Sequence, residues 1–116
     1  MKNSQDLKQR TKIFSLRIIK LYQSLSQKSD VQILGKQLLR SGTSVGANTR
    51  AAFRGRSTKE FTAKIGIVVE EADECLFWME LLVESGIIKQ EKLIDLMKET
   101  EGLISIFVSI YQKHKI

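Results

Sequence analysis

Hydrophobic positions recur along this chain in steps of four and three, the spacing that gathers one face of an α-helix. From about Ser4 to Leu25 the stripe runs Leu7, Phe14, Ile18, Leu21, Leu25. Ser26, Gln27, Lys28 and Ser29 break it, and Asp30 is placed to cap the next helix by accepting a backbone N–H. A second stripe starts near Val31 and runs Leu34, Leu38, Ser41, Val45, Asn48, Ala52. The segment Ser-Gly-Thr-Ser-Val-Gly at 41–46 looks like a loop on propensity, because each glycine costs a helix about 1 kcal/mol. The stripe nevertheless keeps its phase on both sides, which a loop of arbitrary length would not preserve. We therefore expect one continuous helix of about 24 residues, roughly 36 Å long. Gly42 and Gly46, four apart, let a neighbouring backbone come close. Asn48 on the buried stripe needs a hydrogen-bond partner, or costs about 1–3 kcal/mol.

Arg54, Gly55 and Arg56 end the second helix, and Ser57 with Glu60 forms a capping box for the third. Its stripe is Phe61, Ile65, Val68, Ala72, Cys75, Met79 and Leu82, widened by Val69, Leu76 and Val83, and Gly86 suits the position just past its end. The fourth stripe is Leu93, Leu96, Thr100, Leu103, Phe107, Ile110 and His114. Short links place successive helices side by side and antiparallel. The expected architecture is all-α, a single domain over residues 1–116 built as an up-down-up-down four-helix bundle.

Composition changes this picture little. The chain has 116 residues, 42% hydrophobic and 28% charged, and no proline. This length buries a core without staples. Charge changes it more. The net charge is +6, but residues 1–56 hold 12 Lys/Arg against 2 Asp/Glu, while residues 57–116 hold 7 against 11. A basic half of this kind suits nucleic acid or another polyanion, or the acidic half of a second copy. On the second helix Lys36, Arg40, Arg50 and Arg54 lie opposite the core stripe and Arg56 continues the cluster; Lys8, Lys12, Arg17 and Lys20 add charge on the first. Such stripes contact phosphates without reading bases, and they equally serve as solvated helix faces. On the third helix Ile67, Phe77, Trp78 and Leu81 lie away from the core stripe, as an oligomer interface would.

Candidate chemistry is sparse. One cysteine and one histidine, Cys75 and His114, build neither a disulfide framework nor a zinc site. The acids Glu70, Glu71, Asp73, Glu74 and Glu80 lack the Glu-x-x-His partners of a di-iron bundle, and residues 42–48 lack the Lys-Ser/Thr of a phosphate loop. We expect no enzyme, metal, cofactor or small-molecule substrate. No signal peptide or membrane-length apolar run is present, so a cytoplasmic protein is expected.

The run Leu-Leu-Arg-Ser-Gly-Thr-Ser-Val-Gly-Ala-Asn at 38–48, then Arg56-Ser57, Glu60-Phe61, Glu71-Ala72-Asp73-Glu74 and Trp78-Met79-Glu80-Leu81-Leu82, resembles the four-helix bundle proteins named after 23S ribosomal RNA intervening sequences. The resemblance implies a small bacterial helical bundle, and in the wider family a homopentamer. A more distant resemblance is to the accessory protein of diversity-generating retroelements, and it implies a basic pentameric surface that binds nucleic acid. The family usually has an Ile after the Asn and an acid two positions further on; here those places hold Thr49 and Ala51. Three roles follow as expectations: an oligomeric ribonucleoprotein accessory module that binds RNA or DNA, a protein–protein scaffold without nucleic acid, or a toxin–antitoxin-type partner.

Overall fold

The four stripes become four helices in a computed structural model, which describes residues 4–115. They are α1 (Ser4–Gln23), α2 (Ser29–Ala52), α3 (Thr58–Glu84) and α4 (Gln90–His114), joined by three five-residue links. Each packs against the next in chain order, giving the antiparallel up-down-up-down bundle, about 44 Å long. The core holds Leu7, Phe14 and Ile18 of α1, Leu38 and Val45 of α2, Ile65, Val68, Cys75, Met79 and Leu82 of α3, and Leu93, Leu103 and Phe107 of α4. No helix of the described residues is long and apolar enough to cross a membrane.

The helix α2 runs unbroken through 41–46, as its phase requires. Tertiary packing offsets the poor propensity there. A Cβ added at Gly42 would lie 2.6 Å from Ile18 Cγ2, and one at Gly46 would lie 2.6 Å from Ser15 Oγ. Both glycines therefore serve the α1–α2 contact inside one bundle. Ser15 Oγ donates to the Gly42 carbonyl at 2.8 Å across that seam.

Three local expectations are corrected. Asp30 does not cap α2. The helix begins at Ser29, its N-cap Lys28 makes no side-chain cap bond, and the Asp30 carboxylate accepts from its neighbour Val31 N–H at 2.9 Å. The first turn is instead closed by Gln32 N–H donating to the Lys28 carbonyl at 2.9 Å, and Gln32 is held by Tyr22 Oη at 2.6 Å. Asn48 is half-buried, with Thr49 taking the fully buried place. The Asn48 amide donates to the Ser44 carbonyl at 3.0 Å and Ser44 Oγ at 2.8 Å, so its helix satisfies it locally. His114 is exposed rather than on the core stripe, because full burial along α4 ends at Phe107 and the last residues to pack against the core are the half-buried Ile110 and Tyr111.

The four buried hydroxyl residues, Thr11, Ser41, Thr49 and Thr100, each donate to the carbonyl four residues back, at 2.7–3.0 Å. That bond lets a hydroxyl enter the core without an orphan donor. The capping box holds: Glu60 N–H donates to Ser57 Oγ at 3.1 Å, while the Glu60 carboxylate reaches one residue further, to Arg56 N–H at 2.8 Å. Gly86 ends α3 with φ +82°, a left-handed conformation that favours glycine.

Candidate functional site

The close approach of α1 and α2 also shapes the surface. Gly46 and Ala47 add almost no bulk, so the floor between the two helices is low, and long side chains stand on both sides of it. The result is a cleft of about 400 Å³ near the start of α1 and the end of α2. Lys8 and Lys12 come from α1, Arg50 from the last turn of α2, and Arg54 from the link just past its end rather than from the helix as expected. Lys8 and Lys12 are four apart, about 6 Å along α1. Ser15 and Thr43 lie on the floor, and Gln5 and Gln9 complete the α1 side. Thr43 Oγ1 donates to the Leu39 carbonyl at 2.8 Å, and the Ser15 proton goes to Gly42. Among the described residues, none of the four cations carries an ion pair. Their uncompensated charge surrounds one small concavity.

The other cations expected to contact nucleic acid fall elsewhere. Lys36 is exposed, 14 residues before Arg50 and so about 21 Å away along α2. Arg40 turns to α3, where it donates to Glu71 at 3.2 Å and to Glu74. Two carboxylates around one guanidinium leave the neighbourhood at net −1, which repels a phosphate. Arg56 lies in the α2–α3 link, beside Phe61 and His114 in a separate recess. Arg10 is likewise committed: its Nε and Nη2 donate to the two carboxylate oxygens of Glu99 on α4, both at 2.9 Å. The hydrogen bonds to Glu99 raise the Arg10 pKa above the ordinary arginine value. The candidate site is thus a cleft between α1 and the end of α2, which gathers Arg50 and Arg54 but leaves Lys36, Arg40 and Arg56 outside it. Arg50 and Arg54 were visible in the sequence as part of the basic stripe. The α1 half of the site was visible as charge, but the pairing of Lys8 and Lys12 with those arginines needed the antiparallel register.

The four residues expected at an oligomer interface separate in a similar way. Phe77 is 50% exposed, with its ring 5.1 Å from that of Trp78. Trp78 is half-buried and packs on the core, while Ile67 and Leu81 are half-buried at the surface. Sequence reading missed Ile13 and Leu16, 48% and 55% exposed and three residues apart on α1. They fall off the core stripe, yet the cations Lys12, Arg17 and Lys20 hide them in any average over the segment.

The remaining reactive group is enclosed. Cys75 is buried, and burial pushes its thiol up to about 12, so it is protonated at neutral pH and a poor nucleophile. Its Sγ lies 3.5 Å from Ser41 Oγ. Among the described residues, no group of three or more His, Cys, Asp or Glu could hold a metal ion.

Comparison with known proteins adds a family. The crystal structure of a protein of unknown function from the S23 ribosomal protein family of Bacteroides thetaiotaomicron is similar to this chain, with 32% identity and a TM-score of 0.87, covering 94% of this chain and 97% of the other. No curated protein matches the chain. The family model described as 23S rRNA-intervening sequence protein matches residues 3–109. The chain therefore belongs to the 23S rRNA-intervening sequence protein family.

Proposed function

We propose that the protein is a non-enzymatic nucleic-acid-binding module, and that the α1–α2 cleft holds the phosphate backbone. One observation carries this reading: four cations without ion pairs, two from α1 and two from the end of α2 and the link after it, converge on one cleft. The +10 charge of residues 1–56 supports it by drawing polyanions towards that half of the bundle. The family's name, which refers to an rRNA insertion, agrees with it. Each phosphate that a cation neutralises releases a counterion, so the number of contacts is read from the salt dependence. Four contacts give a log–log slope of about −3.6 on double-stranded nucleic acid, or about 150-fold weaker binding when salt rises from 50 to 200 mM. Fluorescence anisotropy of a labelled RNA fragment across that range measures it. A slope near zero, or no binding at 50 mM, refutes the reading.

A second reading, compatible with the first, is self-association. Ile13 and Leu16 lie on α1 beside the exposed cations Arg17 and Lys20. Phe77 lies on α3 between the exposed acids Asp73 and Glu80. An apolar centre with a basic rim thus meets, in another copy, an apolar centre with an acidic rim. Two different faces pair, so the contact propagates head to tail, into a ring where the rotation closes, rather than into a two-fold dimer. Light scattering on the full chain should give a multiple of 13.2 kDa, and Phe77→Asp should reduce it to that mass. A wild-type mass of one chain, or an unchanged mass for the variant, sinks this reading.

A further inference from the structure

We infer that the α1–α2 cleft grips double-stranded nucleic acid by its backbone, without reading sequence; this rests on the phosphate-binding reading above. The lining of the cleft decides between a duplex and a single strand. Proteins that hold single strands without sequence preference stack successive bases on aromatic rings and gain about 1–3 kcal/mol per base. Among the described residues lining this cleft there is no ring. A single strand would gain phosphate contacts alone here, and would lose the freedom of a flexible backbone to make them. A duplex arrives with its backbone already ordered and with the higher charge density.

The floor of the cleft argues against base readout as well. Reading a base edge takes donors and acceptors in a fixed array. The floor hydroxyls of Ser15 and Thr43 have both committed their protons to backbone carbonyls of α2. The donors left are the cations and the amides of Gln5 and Gln9, and among the described residues no side-chain hydrogen bond holds any of these six in place, so they form no fixed array to match a base edge. The low floor at Gly46 matters for the same reason. It lets the walls of Lys8, Lys12, Arg50 and Arg54 straddle a convex ridge, which is the form a duplex backbone presents.

The test uses the full chain and a labelled 24-base-pair RNA duplex of mixed sequence, each of its two strands alone, and a duplex of shuffled sequence, all at 50 mM salt. The duplex should bind at least ten-fold tighter than either strand, and the shuffled duplex within two-fold of it. The salt slope should be about −3.6 on the duplex, against about −2.8 on a strand that makes the same four contacts. Strands that bind as tightly as the duplex overturn the inference and leave the phosphate-binding reading standing. A shuffled duplex more than five-fold weaker overturns the claim that sequence is not read. Binding to none of the four probes overturns both readings.

Discussion

Valine at Gly42 is expected to lower folding stability by about 3 kcal/mol, the upper end of the usual cost of overpacking a core. The first added carbon would lie 2.6, 2.7 and 2.9 Å from Cγ2, Cγ1 and Cβ of Ile18. Ile18 is fully buried and stiff at Cβ, so it has no free end to swing aside. The backbones of α1 and α2 must separate instead, which also strains the bond from Ser15 to the Gly42 carbonyl. Any residue but proline gains some helix propensity over glycine, at most about 1 kcal/mol, too little to cancel the clash. Gly102→Ala is the matched control. A Cβ there meets only the Nη2 end of Arg10, at 3.3 Å, which is bonded to Glu99 near the surface; such a pair is worth about 0–1 kcal/mol, so even its loss would no more than cancel the propensity gain and this variant should be about as stable as the parent. Thermal unfolding should show a fall of roughly 12 °C for Gly42→Val and none for Gly102→Ala. A fall of less than about 4 °C for Gly42→Val would mean that the α1–α2 seam is not as tight as its geometry implies.

The same seam explains what the sequence made legible and what it hid. Phase was legible. Leu38, Val45 and Ala52 on α2 and Ile65 to Leu82 on α3 are fully buried where the four-three spacing puts them. Helix ends with specific chemistry were legible too: the Ser57–Glu60 box and the left-handed Gly86 both hold. The rotation of α2 about its own axis was hidden. Gly35 and Gly42 lie seven apart, with Thr49 seven further on, and all three are buried. Gly35 faces Tyr22 of α1 and Leu25 of the link after it, and Gly42 faces Ile18 of α1. A hydrophobicity pattern gives glycine almost no weight, so the line of closest contact carried the weakest signal. Reading Asn48 as buried in place of Thr49 was the consequence.

For the candidate site, the basic half was legible as composition, but the choice among its cations was not. Arg40 and Arg50 look alike on α2, both away from the core stripe. Their fates diverge because Arg40 is level with Glu71 and Glu74 on α3, 31 and 34 residues away, whereas Arg50 is level with the start of α1. Charge pairing between helices depends on register, and register is settled by core packing rather than by the charges. An exposed ion pair is worth about 0–1 kcal/mol, too little to position a helix, so Arg40 takes the partners that the bundle happens to bring.

Replacing Lys8, Lys12, Arg50 and Arg54 together by glutamine should reduce affinity for an RNA duplex by more than about 1,000-fold at 50 mM salt. Counterion release from four phosphates contributes a factor of about 10⁴–10⁵ between 1 M salt and 50 mM, and this variant forfeits it. The residual binding should therefore be nearly flat in salt. Single changes should each remove close to one unit of slope, Arg50→Gln bringing it from about −3.6 to about −2.7. Arg40→Gln should leave both slope and affinity within two-fold of the parent, because Arg40 is spent on Glu71 and Glu74. All four cleft residues lie on the outside of the bundle, exposed or half-buried, so circular dichroism should show the fold intact. The comparison of Arg50 with Arg40 is the decisive one. The two variants change net charge equally and sit on the same helix, so a general effect of charge weakens binding in both. If Arg40→Gln costs as much as Arg50→Gln, the protein attracts nucleic acid through its overall field and the cleft has no special part in it. A loss confined to Arg50 and its three partners locates the contact between α1 and α2.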